Sequence, residues 1–162
     1  MTGRSRRAVV VLLLSSLIAG CGGSLAGFEA FLNGANEVPP VSVSSTGRAT
    51  FDPEGQGMRY SITLFGMSST VTAAHIHGPA GPGVNAGIIV TLFSGSAAPP
   101  VNGQLVQGTF DSSSINPASG VTWGQLRDLM GNGGVYVNVH TTGFPDGEVR
   151  GQVRLRAGAE DR

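Results

Sequence analysis

The stretch that decides the fold is "GVYVNVHTTGFPDGEVRGQVRLR", residues 134–156. Two runs in which apolar and polar residues alternate flank the turn "TGFPDG", residues 142–147. Alternation with a period of two is typical of a β-strand with one face on a core. A slip of one residue would turn every side chain to the opposite face, so the apolar faces of the two strands must coincide. The stretch therefore predicts an antiparallel hairpin.

The polar face of this hairpin brings together side chains of different chemistry. The register that aligns the apolar faces also fixes the neighbours on the polar face, give or take two residues. The predicted cross-strand neighbours are Tyr136 with Gln152, Asn138 with Arg150, and His140 with Glu148.

Similar short runs recur along the chain, separated by clusters of Gly, Pro, Asn and Asp, a pattern typical of all-β domains. The predicted strands are residues 28–33, 47–52, 58–66, 71–77, 87–93, 103–110, 134–141 and 147–156. "TWGQLRDLM", residues 122–130, instead spaces its apolar residues as one face of a short helix, with Thr122 as N-cap and Gly131 as the stop. The sequence thus predicts an all-β, Greek-key or immunoglobulin-like sandwich or barrel of about eight strands with one short helix.

The chain has three histidines, and each falls on the face of a predicted strand. In "VTAAHIH", residues 71–77, His75 and His77 share one face, about 6.5–7 Å apart at Cα. If this strand joins the sheet of the hairpin, His140 can meet them. Three imidazoles at one point suit Cu(II) or Zn(II), with one position left for water or a substrate. We therefore predict a mononuclear site, with copper as the first choice and zinc as the second.

Polar neighbours could orient these imidazoles from a second layer, as acceptors of the ring N–H groups do in many metal sites. The second-layer residues that the sequence predicts are Asn138, Glu148 and Arg150.

The alternative is a hydrogen-bonded brace, in which the histidines donate to backbone carbonyls beside the Gly-Pro turn and pin a loop. Convergence of three ring nitrogens to within about 3–4 Å would favour a metal site. Rings that diverge or bind carbonyls would favour the brace. Glu37 in "NEVPP" is expected to cap or brace a strand end, with the polar cluster as its other possible place.

The sequence offers little for catalysis. It contains no G-x-S-x-G motif, and its scattered acidic residues give no pair to assign to sugar hydrolysis. Three histidines are too few for the bridged copper–zinc site of a dinuclear superoxide dismutase, although a lone redox-active copper stays possible. We therefore expect a binding protein, for a metal or a surface partner, rather than an enzyme.

The N-terminal residues predict export. The basic "MTGRSRR" and the short apolar run after it are typical of a signal peptide rather than a membrane span. "LIAGC" resembles a bacterial lipobox, whose cysteine is lipidated; otherwise Cys21 is a small residue of an ordinary signal peptide. Gly22 after the cysteine fits outer-membrane sorting in a cell with two membranes. The predicted divisions are a signal peptide at 1–20, a lipid-anchored tether at 21–27, one domain at 28–156 and a polar tail at 157–162.

The composition limits the partners. A mature chain starting at Cys21 would have seven basic and ten acidic residues, which argues against binding nucleic acid. The single cysteine allows no intrachain disulfide. The expected partners are the membrane, through the lipid anchor, and a protein at the cell surface. The sequence leaves the oligomeric state open.

Three stretches resemble the CHRD domain, named for the repeats of chordin: "FLNGANEVPPVSVSSTGRATF", "TAAHIHGPAGPGVNAGIIVTLF" and "GGVYVNVHTTGFPDGEVRGQVR". With their spacing they cover about residues 28–156, and "FPDG" stands where the usual pattern has a turn such as N-P-G-G. The resemblance implies a β-sandwich or barrel of extracellular type, which in chordin belongs to a protein that binds secreted growth factors. It implies no catalytic mechanism. The signature residues it implies are His75, His77, Gly78, Pro79, Asn138, His140, Glu148, Arg150, Gly151 and Gln152.

Overall fold

A computed structural model describes residues 27–99 and 101–157. The predicted signal peptide, Cys21 and nearly all of the tether and the tail lie outside the described residues. The strands are β1 Phe28–Asn33, β2 Thr46–Glu54, β3 Gly57–Phe65, β4 Val71–His77, β5 Ile88–Ala97, β6 Gly103–Phe110, β7 Tyr136–Thr141, β8 Val149–Gln152 and β9 Arg154–Leu155. One α-helix, α1, spans Trp123–Asn132. Within the described residues, the all-β class and the single α-helix are confirmed.

The strands form one antiparallel sheet in the order β5-β4-β7-β8-β1-β2-β3-β6, with β9 beside β1. The two ends of this sheet approach each other. A hydrogen bond links them, which the Tyr60 hydroxyl on β3 donates to the Leu92 carbonyl on β5 at 2.5 Å. An isolated bridge between Val90 and Ile115 also ties β5 to the segment that follows β6. Of the sandwich and barrel alternatives, the structure is therefore a nearly closed, barrel-like sheet.

The side chains of the strands alternate between a face on the core and a polar face, as the sequence predicts. On β4, Ala74 and Ile76 are fully buried in the hydrophobic core, and β7 adds Val137 and Val139 to the same cluster. The polar residues between them face away from this core. The predicted register of the hairpin is confirmed, with Tyr136 paired to Gln152 and Asn138 to Arg150. The predicted strand at residues 147–156 is instead two strands, β8 paired with β7 and β9 paired with β1.

Helix α1 packs Leu126 and Met130 into the core. Its N-cap is Thr122, as the sequence predicts, within a capping box with Gln125. The predicted stop at Gly131 is wrong, because the helix continues to Asn132 and ends at Gly133. That glycine adopts φ +77° and donates its N–H to the Leu129 carbonyl. Among the described residues, no helix is long and apolar enough to cross a bilayer.

Candidate metal centre

Pairing of β4 with β7 brings the three histidines to one place on the sheet. His75 lies opposite Asn138, and His140 lies opposite Ala73, so His140 is the diagonal neighbour of His75. The ring centroids are 5.0 Å apart for His75 and His140, 5.5 Å for His75 and His77, and 5.7 Å for His77 and His140. One ring nitrogen from each histidine lies within 4.8 Å of the other two.

Two of the rings are held by backbone carbonyls. His77 Nδ1 lies 3.0 Å from the Ala86 carbonyl oxygen, and His140 Nδ1 lies 2.9 Å from that of Pro145. A carbonyl oxygen only accepts, so each Nδ1 must carry the hydrogen, and the neutral ring then keeps its lone pair on Nε2. Orientation of a ring through its second nitrogen is the usual arrangement of a metal-binding histidine.

The remaining nitrogens have no such partner. His75 Nδ1, His77 Nε2 and His140 Nε2 are all buried without a hydrogen bond among the described residues. Buried polar atoms are nearly always paired, so three unpaired nitrogens in one cluster call for an explanation. A cation bound by their lone pairs satisfies all three at once, and the donor set therefore fits a transition-metal ion.

The electrostatics of the cluster keep the imidazoles neutral. Burial, followed by the neighbouring His140 and His77, lowers the pKa of His75 to about 4. Burial also lowers the pKa of His77 and that of His140, although the carbonyls of Ala86 and Pro145 oppose the shift. All three rings are thus unprotonated at neutral pH, which is the form that binds metal.

The geometry of the histidine cluster has features of both predicted arrangements, the metal site and the hydrogen-bonded brace. The ring nitrogens converge as a metal site requires, but the 4.8 Å limit is wider than the spacing of about 3–4 Å expected around a bound ion. Two rings also bind carbonyls, as the brace requires. Because the carbonyls take only Nδ1, the brace leaves Nε2 of both rings free, and the two arrangements are compatible.

Arg150 and Asn138 lie beside the cluster, but neither accepts a hydrogen bond from an imidazole among the described contacts. Arg150 is 1% exposed, and its guanidinium lies 3.4 Å from the centroid of the Tyr136 ring. It donates to the Val84 carbonyl and to Asn85 Oδ1 at 2.7 and 2.9 Å. Arg150 therefore holds the loop at residues 78–87 over the site. Asn138 uses its side-chain amide to donate to the Asp146 carbonyl.

The expectation that Glu148 orients an imidazole is wrong. Its carboxylate is fully buried and accepts hydrogen bonds from Ser45 Oγ at 2.5 Å, the Ser68 N–H at 2.8 Å and Thr141 Oγ1 at 2.7 Å. The reason is a break in alternation. The Glu148 N–H donates to the carbonyl of Val139, which already faces Val149, so two residues stand opposite one as in a β-bulge.

Two further residues complete the site. The His77 ring stacks on Tyr136 with centroids 5.1 Å apart and planes 7° apart, and the Tyr136 hydroxyl accepts from the Ala86 N–H at 3.0 Å. The alternation of β7 places Tyr136 on the polar face, so the sequence could have indicated it.

Glu37 is buried beside Asn138 and Arg150, and burial, against the opposing charge of Arg150, raises its pKa to about 7. Glu37 belongs to a loop without periodicity, and nothing in its sequence signals this burial.

Comparison with known proteins identifies the family of the chain. The family model of the CHRD domain matches residues 28–153. No curated protein and no solved structure matches the chain. The chain belongs to the CHRD domain family, and the resemblance seen in its motifs is confirmed. Family membership supports a binding or interaction module rather than an enzyme.

Proposed function

We propose that this CHRD domain binds one divalent transition-metal ion through His75, His77 and His140. The observation that supports the proposal is the set of three buried ring nitrogens, one on each histidine, that have no hydrogen-bond partner among the described residues and belong to one cluster. The carbonyls of Ala86 and Pro145 would keep two of the rings in the tautomer that binds metal through Nε2.

The chemistry of the donors selects the kind of ion. Three neutral imidazoles suit copper and zinc, whereas calcium and magnesium take mainly oxygen ligands. Copper is the first choice, because Cu(II) binds nitrogen sites more tightly than the neighbouring divalent ions of its row. Three protein ligands would leave a coordination position for water or another small ligand. We assign no reaction to this position.

The test is calorimetric titration of the full chain, kept in mild detergent and stripped with a chelator, with Cu(II) and with Zn(II). We expect one ion per chain. The double variant His75→Ala, His77→Ala should lose this binding while its far-UV circular dichroism still shows the β-sheet. Thr91→Ala is the matched control, because Thr91 faces His75 from β5 and offers no imidazole. Absence of binding by the intact chain would overturn the proposal.

The second candidate function is a non-catalytic interaction module in which the histidines only brace the structure. The two imidazole–carbonyl contacts favour it, because each joins a strand to the loop or turn that follows. In that case the double variant should lower the free energy of unfolding, and the intact chain should bind neither metal.

We further propose that the domain is displayed outside the cytoplasm on a lipid anchor at Cys21, on the outer membrane if the cell has two. The support is the lipobox-like "LIAGC" behind a basic and apolar leader. A surface protein partner and self-association both fit this placement. Incorporation of labelled palmitate that is lost in Cys21→Ser would support the anchor, and equal labelling of the two proteins would contradict it.

A further inference from the structure

Two buried oxygen atoms beside the histidine cluster have no hydrogen-bond partner among the described residues. They are Glu37 Oε1 and Asn138 Oδ1. Glu37 is 6% exposed and Asn138 is 5% exposed. Both atoms border one small space, because a Cβ on Gly147 would lie 2.7 Å from Glu37 Oε1 and 2.5 Å from Asn138 Oδ1. Buried polar atoms are nearly always paired, and a single hydrogen between these two acceptors would pair both.

The carboxyl group of Glu37 can supply this hydrogen. In its protonated form it has one O–H donor, whereas a carboxylate and a carboxamide oxygen only accept. The Asn138 side chain donates from Nδ2 to the Asp146 carbonyl at 3.1 Å, so its oxygen is the unpaired atom. With the amide turned round, two oxygens would meet at Asp146. The backbone thus selects the orientation in which Asn138 Oδ1 needs a donor.

The surroundings of Glu37 favour the protonated form up to about neutral pH. Burial raises its pKa to about 7, although the charge of Arg150 on β8 and the Asn138 amide favour the carboxylate. The amide does so by donating N–H, a contact that competes with its bond to Asp146. The carboxylate of Asp146, which lines a cavity together with Glu37, favours the acid. His140, two residues from Asn138 on β7, has a lowered pKa and adds no charge at neutral pH.

The Glu37–Asn138 pair is connected to the histidines through the turn that joins β7 to β8. Asn138 donates to the Asp146 carbonyl, and the preceding carbonyl, that of Pro145, holds His140 Nδ1 at 2.9 Å. Asn138 also lies directly opposite His75 in the pairing of β7 with β4. A change in the orientation of the Asn138 amide therefore releases the turn whose carbonyl orients His140.

We propose that Glu37 is a positioning residue for the metal centre, because its carboxyl O–H donates to Asn138 Oδ1 and holds the amide in the orientation that binds the turn. When Glu37 ionises, its carboxylate faces the Asn138 oxygen, the amide turns its N–H₂ group to Glu37, and the turn beside His140 loses a hydrogen bond. Metal affinity then falls. This role rests on the proposed metal function, whereas the Glu37–Asn138 hydrogen bond does not.

The first test needs no metal. NMR of the metal-free, ¹³C- and ¹⁵N-labelled full chain in mild detergent follows the Glu37 carboxyl carbon and the Asn138 side-chain amide from pH 5 to pH 9. We expect both signals to change with one shared midpoint at about 7. Glu37→Gln identifies the carboxyl signal by removing it, and Glu54→Gln, at an exposed carboxylate, should leave both signals in place. A Glu37 that is ionised throughout, or an Asn138 amide that does not respond to it, would overturn the proposal.

The second test measures affinity for Cu(II) and for Zn(II) by calorimetry at pH 6 and pH 8. The glutamine of Glu37→Gln keeps an N–H donor at both pH values, so it should replace the protonated carboxyl group. Taking the ratio of parent to Glu37→Gln at each pH cancels the titration of the histidines. We expect the parent to lose about tenfold in affinity relative to Glu37→Gln between pH 6 and pH 8, as for one lost hydrogen bond. Glu37→Leu, which has no donor, should bind more weakly than Glu37→Gln at both.

The two proposals fail in different ways. Equal affinities of the parent and Glu37→Gln at both pH values would overturn the positioning role and leave the metal site standing. Absence of metal binding by the parent and all variants would overturn the metal site and, with it, the positioning role.

Discussion

The imidazole of His77 stacks in parallel on the ring of Tyr136, and both residues meet the backbone of Ala86. His77 Nδ1 donates to the Ala86 carbonyl, and the Tyr136 hydroxyl accepts from the Ala86 N–H. Since His77 and Tyr136 are paired across β4 and β7, the sheet and the loop at residues 78–87 fix the imidazole together. The loop is thus part of the candidate metal centre.

The first prediction concerns Tyr136→Phe, which keeps the ring and removes the hydroxyl. We expect it to lower the free energy of unfolding by about 1 kcal/mol, because a hydrogen bond is lost. Metal affinity should fall several-fold, since the carbonyl that orients His77 is held less firmly. Tyr60→Phe is the control, because its hydroxyl also makes a hydrogen bond with the backbone but lies away from the histidines. Urea unfolding and calorimetry measure both effects, and equal metal affinity in the two variants would contradict the coupling.

The second prediction separates stability from metal binding at Glu148. Burial alone would raise the pKa of this carboxyl group, but the hydrogen bonds from Ser45, Ser68 and Thr141 outweigh it and hold the pKa below its ordinary value. Glu148→Gln replaces an acceptor oxygen by an amide N–H₂ and should lower the free energy of unfolding by about 2 kcal/mol. The metal affinity of the folded variant should equal that of the parent. A loss of metal-binding free energy larger than the loss in the free energy of unfolding would show that Glu148 supports the metal site after all.

Much of the fold could be predicted because it rests on periodicity. β1, β4 and β6 match the predicted bounds, and the hairpin register follows from apolar faces that must coincide. The same parity placed the three histidines on one face, where the structure has them.

The errors fall where a local backbone contact overrides the pattern. The bulge at Glu148 turns a carboxylate away from the face to which parity assigns it. α1 extends past Gly131 because Gly133 supplies the left-handed cap. Glu37 lies in a loop and lines two cavities. Its burial comes from tertiary packing, which no periodic pattern in the sequence predicts.

The third prediction concerns Gly151, one of the signature residues that the CHRD resemblance implies. The backbones approach closely at this glycine, because a Cβ there would overlap the carbonyl of Phe31. Gly151→Ala should therefore lower the free energy of unfolding by about 3 kcal/mol, as overpacking against a backbone cannot be relieved by a rotamer change. Gly124→Ala is the control, since a Cβ there meets no atom within 4 Å, and in α1 it should stabilise by about 0.5 kcal/mol. Similar unfolding midpoints in urea for the two variants would refute the prediction.

The last prediction is a pH dependence carried by Glu37. Its ordinary pKa of 4.5 rises to about 7 in the folded chain, chiefly by burial, while Arg150 opposes the rise. Between these values Glu37 binds more protons in the folded state than in the unfolded state, so its contribution to the free energy of unfolding must fall as pH rises from 4.5 to 7. The loss is about 3 kcal/mol.

The histidines act in the opposite direction, which makes a difference measurement necessary. Because the pKa of His75 is lowered from 6.5 to about 4, the unfolded state binds more protons in that window, and stability rises with pH. Subtracting the curve of Glu37→Gln from that of the parent removes this contribution. Urea unfolding at pH 4, 5, 6, 7 and 8 should show the variant gaining about 3 kcal/mol of stability relative to the parent between pH 4 and pH 8. Glu54→Gln should show no such trend, and a parallel pair of curves for Glu37→Gln and the parent would mean that Glu37 is ionised throughout.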